Sequence, residues 1–472
     1  MIRTLTRNLA QRRLSTLSYN IAQIPNISIS EVASHLSDLG PYPVHSPYLN
    51  PQHYYQNTVL QTWSQKTPHP VTLMHLAQYG RSLTKQKIIM SANFVRLELP
   101  IRIARKLIEL QELPFEVVNN FHLAKVYESY YDIFETFRKF PEVKSIEDND
   151  AFCAMLENVL TDVNLLNLPN LMMGALECSI LSSLPRNQLD ELISSLLRAR
   201  ISRRLIIEEH LSLTKNYQDK KTHSTSKDQK THNEIGDIFF KCSARDHLEI
   251  TAQNASKFTE NLYPGLKMPE LVIEGNSDLQ FQFLTPHLHF MLGEILRNSY
   301  EATMAHFVSH NPNHKTDQPP PVSVCLIDNK DHVAFRFSDR GGGVPIEPIG
   351  KVWSFAKDPT LARASLGNFH KMALCTQPQT SQADHVTQAR ESLMNTSVGG
   401  IDDNYMKEKT LINLIQRPAE SKLGLGLAMC KVYADYWNGD VVLHSMKGYG
   451  TDTYLKLGKL GYYNDKLQLD RA

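Results

Sequence analysis

Four short stretches carry the residue types that could do chemistry. The first is H-F-M-L-G-E-I-L-R-N-S-Y-E-A-T, His289 to Thr303. Leu288, Met291, Leu292, Ile295 and Leu296 form an apolar stripe at helical spacing, while Glu294 and Asn298, four residues apart, share one face. Glu294 is a candidate general base, and the carboxamide oxygen of Asn298 is a hard ligand that suits Mg²⁺. On their own, the two would equally be solvated polar residues of an amphipathic helix.

The second stretch is F-S-D-R-G-G-G-V-P, Phe337 to Pro345. A strand delivers Asp339 to its end, and glycines 341 to 343 follow, letting backbone approach a ligand closely. A carboxylate there can accept a hydrogen bond from an amino group such as that of adenine. The third is L-G-L-G-L-A-M-C-K, Leu423 to Lys431. Gly424 and Gly426 open a helix whose first N–H groups and positive end form a phosphate site, with Leu427 in the first turn. It is neither the dinucleotide fingerprint nor a Walker A loop, because Met429 replaces the third glycine and no Gly-Lys-Ser/Thr follows. The fourth is S-M-K-G-Y-G-T-D, Ser445 to Asp452, where Thr451 follows a glycine turn. Each alone reads as an ordinary turn or helix start.

Elements must bring these together. Val322–Ile327 and His332–Ser338 alternate apolar and polar around D-N-K-D, which predicts a hairpin. Val441–His444 and Thr453–Leu457 predict a second. Helices at Leu288–Thr303 and Gly426–Trp437 precede the two hairpins. The C-terminal half therefore reads as an α+β sandwich, a mixed sheet with helices on one face. Upstream, from about Ser30 to Thr214, the pattern is helical. Phe152, Met155, Leu156, Val159, Leu160 and Val163 form one stripe; Leu123, Val126, Tyr127, Tyr130, Phe134 and Phe137 form another, stopped by Pro141. Pro100 reads as the first turn of a helix over Ile101–Leu110, and Leu189 to Leu213 as a further long helix. Pro-punctuated connections predict an antiparallel bundle. The polar run Lys215 to Asn233 reads as a loop between the halves.

The predicted organisation is a transit peptide over 1–20, a helix bundle over 21–214, a linker over 215–236 and an ATP-binding domain over 237–472. The weakly patterned part near 358–423 is read as a lid. The transit peptide is read from Arg3, Arg7, Arg12 and Arg13 among leucines, serines and threonines, with no acid before Glu31. A chain of 472 residues with 42% apolar and 21% charged residues has material for two cores. A net charge of +1 does not suggest a polyanion-binding surface, so nucleic acid is not an expected partner. The six scattered cysteines read as free thiols, and no apolar run spans a bilayer.

In this order and spacing the four stretches together resemble the ATP-binding fold shared by histidine kinases, gyrase-type topoisomerases, a class of heat-shock chaperones and MutL-type repair proteins. S-D-R-G-G-G-V-P narrows the resemblance to the mitochondrial kinases of the 2-oxoacid dehydrogenase complexes, the pyruvate and branched-chain dehydrogenase kinases. F-V-R-L-E-L-P-I-R-I-A (Phe94 to Ala104), R-I-S-R-R-L-I-I-E-E-H (Arg200 to His210) and H-S-M-K-G-Y-G-T-D (His444 to Asp452) are similar to further signatures of that family. It covers roughly Thr84–Thr214 and Ile235–Leu457.

The resemblance implies a serine kinase using Mg-ATP on the decarboxylase component of the pyruvate dehydrogenase complex. The branched-chain complex is the alternative substrate. Glu294 would polarise the serine hydroxyl and Asn298 would coordinate Mg²⁺. Asp339 and Thr451 would hold adenine in a pocket shaped by Gly341 and Gly343, with Gly424, Gly426 and Leu427 at the phosphates. It further implies a homodimer in the mitochondrial matrix, whose bundle docks a lipoyl domain of the acyltransferase core. Two positions depart from the family: Phe290 stands where many pyruvate-specific members carry histidine, and Glu301 where members commonly carry arginine. A catalytically dead scaffold would have lost Glu294, Asn298 or Asp339, and all three are present. An autophosphorylating histidine kinase would need an acid after its histidine; Leu211 follows His210, so His210 reads as structural.

Overall fold

The computed structural model describes residues 57–72, 83–160, 164–181, 184–222, 238–345, 350–371 and 420–460, together with 411, 414, 415, 417 and 418. The expected transit peptide and most of the expected lid lie outside these residues.

The N-terminal part is helical, as the apolar stripes require. It comprises α1 (Thr58–Ser64), α2 (Lys85–Gln111), α3 (Phe115–Val118), α4 (Phe121–Lys139), α5 (Ile146–Asn158), α6 (Asn164–Leu181) and α7 (Arg186–Thr222). Asn120 caps α4 by accepting N–H bonds from His122 and Leu123, and Ser145 with Asp148 forms a capping box on α5. The stripe Leu123, Val126, Tyr127, Tyr130, Phe134 and Phe137 is buried throughout.

Two sequence expectations fail here. Pro100 does not open a helix; it lies inside α2, which starts fifteen residues earlier under the cap of Thr84. Burial on both sides of the proline, from Ile88 to Leu110, outweighs the ~3 kcal/mol that an interior proline costs. The run from Lys215 is not yet a loop either, since α7 continues to Thr222. It contains no Gly or Pro, and Gln218 Nε2 donates to Asp150 Oδ1 at 2.8 Å, tying the extension to α5. Polarity alone does not end a helix.

The C-terminal part is α+β. Strands β1 (Phe240–Ser243) and β3 (Gln280–Phe283) pair antiparallel in a two-stranded sheet. A five-stranded mixed sheet has the order β2-β4-β5-β7-β6. Its strands are β2 (Leu271–Gly275), β4 (Val322–Asp328), β5 (His332–Ser338), β6 (Asp440–Met446) and β7 (Gly450–Gly458). Only β2 runs parallel to its neighbour. Both predicted hairpins are present. Helices α8 (Ala244–Leu262), α9 (Thr285–His310), α10 (Pro359–Lys371) and α11 (Gly426–Tyr436) complete the domain. The start of the expected lid is thus the helix α10.

Helix α9 is the spine of this half. It packs against α8, α11, β4 and β5, and almost every residue from Pro286 to Tyr300 is buried. A helix enclosed on all sides is a core helix rather than an amphipathic surface one.

The long helix α7 also reaches into the C-terminal half. Asp190 Oδ1 accepts the Phe355 N–H at 2.6 Å, the Ala356 N–H at 3.2 Å and the Ser354 hydroxyl at 3.0 Å. Arg186 pairs with Asp358, Arg198 with Asp435, and Arg200 Nη1 donates to Tyr433 Oη.

Candidate active site

The four stretches singled out in the sequence meet around α9. Asp339 directly follows β5 and is buried. Its Oδ1 accepts the Gly341 N–H at 2.9 Å and the Thr451 N–H at 3.2 Å, and its own N–H donates to Thr451 O at 3.0 Å. Burial pushes this carboxyl up to about 6, against the opposing pull of the two backbone bonds. The Ser299 side chain of α9 also reaches it.

The glycine loop then bends across the last hairpin. Gly343 has φ +71, and a Cβ there would overlap Met446 O. Gly342 O accepts from Gly448 N–H at 2.7 Å, and Val344 N–H donates to Ser445 Oγ at 2.6 Å. Ser445 Oγ lies 3.2 Å from Thr451 Oγ1. A Cβ at Gly341 would press on Ala302 of α9. Asp339, the glycine loop and Thr451 therefore form one rigid cradle against α9.

Glu294 and Asn298 do not share a solvent face. Glu294 is 2% exposed, whereas Asn298 is the exposed residue of the otherwise buried run from Met291 to Tyr300. Both Glu294 oxygens are engaged by the Arg417 guanidinium: Nη1 reaches Oε1, and Nη2 reaches Oε2 at 2.9 Å. Burial works against the charge of Arg417, and Glu294 more than restores it, so Arg417 stays raised. Gly424 (φ +69) and Gly426 open α11 beside this pair, and a Cβ at Gly426 would overlap Glu294 Oε2. Leu425 offers no side-chain cap, so the first N–H groups of α11 have no side-chain acceptor from that residue. Leu427 is half-buried in the first turn.

Both departures from the family have structural accounts. Phe290 is buried, its ring 5.3 Å from that of Tyr433; a core contact occupies the place of a polar neighbour for Glu294. Glu301 pairs with Arg297 at 2.9 Å and with Lys422 at 3.4 Å, joining α9 to the segment before Gly424. Arg297 also donates to Arg417 O at 2.9 Å and Pro418 O at 2.8 Å.

Sequence reasoning missed Arg417, which sits in a weakly patterned stretch and pairs across 123 positions. It left His289 unassigned, and the structure sets it on α9 against α8, Nε2 lying 2.6 Å from His247 Nδ1. His210 is buried, its Nδ1 3.0 Å from Ser91 Oγ, which agrees with a structural role.

The family model described as mitochondrial branched-chain alpha-ketoacid dehydrogenase kinase matches residues 70–239. The chain is 46% identical to "[Pyruvate dehydrogenase (acetyl-transferring)] kinase 2, mitochondrial" of Saccharomyces cerevisiae, over 96% of each chain. It is 26% identical to the mitochondrial pyruvate dehydrogenase kinase of Arabidopsis thaliana, over 83% of this chain and 90% of that one. Against human pyruvate dehydrogenase kinase isozyme 4, identity is 23%, over 85% and 84%. The chain belongs to the mitochondrial pyruvate dehydrogenase kinase family.

Proposed function

We propose that this chain phosphorylates a serine on the decarboxylase component of the pyruvate dehydrogenase complex, using Mg-ATP, and so inactivates it. The near full-length 46% identity to a pyruvate dehydrogenase kinase carries this reading, and the geometry around α9 supports it.

Asp339 accepts the adenine amino group through the carboxylate oxygen not taken by backbone, and Thr451 and the glycine loop wall the base. The opening of α11, at Gly424, Gly426 and Leu427, receives the phosphates on its N–H groups. Among the described residues no group of three or more His, Cys, Asp or Glu could hold a metal. The exposed Asn298 carboxamide would supply one protein ligand to Mg²⁺. Bound Mg²⁺ neutralises charge on the transferring phosphoryl group. Glu294 accepts the serine proton, a contribution on the order of 10²–10⁴-fold, while positioning supplies most of the rest.

The same reading places the protein in the mitochondrial matrix, delivered by residues 1–20, as a homodimer docked through its bundle to a lipoyl domain. Exposed Met90, Leu97 and Phe115 on the bundle suit such a partner. Among the described residues no helix is long and apolar enough to cross a membrane. Buried Phe290 and the family model over the bundle favour a second reading, the branched-chain complex as substrate.

The test is to incubate the protein with Mg-ATP and each purified complex and follow phosphoserine on the decarboxylase component, with Glu294→Gln alongside. Phosphate on the pyruvate complex, lost in the variant, is the expected result. Phosphate on the branched-chain complex alone would transfer the assignment. ATP binding without phosphate on either would leave a scaffold.

A further inference from the structure

Two carboxylates of α9 gather three cations beside the opening of α11. Arg417 lies on Glu294, and both Arg297 and Lys422 lie on Glu301. The two arginines are committed: their side chains are buried, and each is neutralised by the carboxylate it holds. Lys422 differs. Its side chain is 70% exposed, and its ammonium stands 3.4 Å from Glu301 Oε2. An exposed ion pair at that distance holds its lysine weakly.

The backbone around Lys422, by contrast, is firmly set. Ser421, Leu423 and Leu425 are buried while Lys422 and Gly424 are exposed, so successive residues alternate between core and solvent. Lys422 therefore shares its outward side with Gly424, whose φ of +69 leads the chain into α11. Asn368 of α10 donates from Nδ2 to Lys422 O at 2.8 Å. Ser365, buried and one turn earlier on α10, supports Gly424, its Oγ 3.5 Å from where a Cβ would stand. The main chain is fixed, and the ammonium at the end of a flexible four-carbon stem can move.

We propose that Lys422 is a phosphate-binding residue of the nucleotide site, with Glu301 as the carboxylate that holds it beside the opening of α11. This rests on the reading of that opening as the phosphate-receiving end. A helix start contributes roughly half a positive charge, less than the negative charge that the phosphates of Mg-ATP bring. Lys422 supplies a full charge that can follow the phosphate oxygens, exchanging one anionic partner for another. Its transfer leaves no bare carboxylate behind, because Arg297 Nε stays on Glu301 Oε1 at 2.9 Å. The alternative is a surface ion pair that only ties α9 to the segment before Gly424. Such a pair would not distinguish ligands that differ in their phosphates.

Calorimetry on the full chain with Mg-ATP and with adenosine separates the two. In the variant Lys422→Ala, affinity for Mg-ATP should fall about tenfold or more, with adenosine affinity kept within about twofold. Lys422→Arg should recover most of the loss. An unchanged affinity for Mg-ATP, or an equal loss for adenosine, overturns the proposal and leaves the nucleotide site standing. A parent chain that binds neither ligand overturns the nucleotide reading, and the role of Lys422 falls with it.

Amine footprinting of the unaltered chain gives a second measure, which decides if the variant does not fold or adenosine binds too weakly to read. Acetylation of Lys422 by an amine-reactive ester is followed by mass spectrometry, with the exposed Lys315 as internal reference. Saturating Mg-AMP-PNP should slow modification of Lys422 about fivefold or more relative to Lys315, because phosphate holds the amine in its charged form. Bound nucleotide with an unchanged or faster rate at Lys422 overturns the proposal.

Discussion

Asp339 and Thr451 hold each other by two hydrogen bonds, the Asp339 N–H to Thr451 O at 3.0 Å and the Thr451 N–H to Asp339 Oδ1 at 3.2 Å. One carboxylate oxygen is thus a fixed part of the β5–β7 junction, and the carboxyl is also reached by Ser299 of α9. The variant Asp339→Asn keeps an oxygen for the two backbone donors but turns an amino group toward the base. Calorimetry should show ATP affinity reduced at least 100-fold, with a melting temperature within a few degrees of the parent.

The same residue makes nucleotide binding pH-dependent. Burial raises the Asp339 carboxyl to about 6, and its ionised form is the stronger acceptor for an amino group. Affinity should be flat above about pH 7 and should weaken as pH falls below 6. Titrations from pH 5 to 8 would show this, and an affinity that improves on acidification would refute the assignment.

Buried histidines make the fold acid-labile. Burial lowers His122 and His210 to about 4 and His289 to about 3, while the unfolded chain titrates near 6.5. Between those values the unfolded state binds more protons, so stability falls as pH falls from 6.5 toward 4. Three such groups give a slope of about 4 kcal/mol per pH unit, of which Asp339, shifted in the opposite sense, offsets roughly a third. Urea midpoints between pH 7 and 4.5 would measure it.

Gly343 tests the cradle sterically. At φ +71, with Met446 O where a Cβ would go, Gly343→Ala should cost about 1–3 kcal/mol and displace the loop from its hairpin. The expected signature is a lower melting temperature together with lost ATP binding. Gly367→Ala in α10, which has open space, is the matched control.

Asn298 is exposed, so its removal should leave stability within about 0.5 kcal/mol. The variant Asn298→Ala should instead raise the Mg²⁺ concentration required for half-maximal phosphorylation. An unchanged Mg²⁺ dependence would remove it from the metal site.

The glycine loop, both hairpins and α9 were legible because each leaves a local mark: period-2 alternation, turn residues, or an apolar stripe. Asp339 and Thr451 were legible as types at set positions, though not as partners. Strands β1 and β3 were not, since F-K-C-S and Q-F-Q-F are four residues each. Helix α8 hid because its buried face is built largely from small residues, Thr251, Ala252, Ala255 and Thr259. Spacing put Glu294 on one face with Asn298, whereas the structure buries Glu294 and exposes Asn298; its ion-pair partner lies too far along the chain to leave a local mark.

Through α7, the boundary between the two halves is one of sequence more than of substance. The same helix that closes the bundle holds residues 354–356 by Asp190 and α11 by Arg198 and Arg200. Neither half is an exchangeable module. A chimera joined after Thr222 would strand these three side chains against a foreign surface, so exchange between relatives would have to carry α7 together with the C-terminal half.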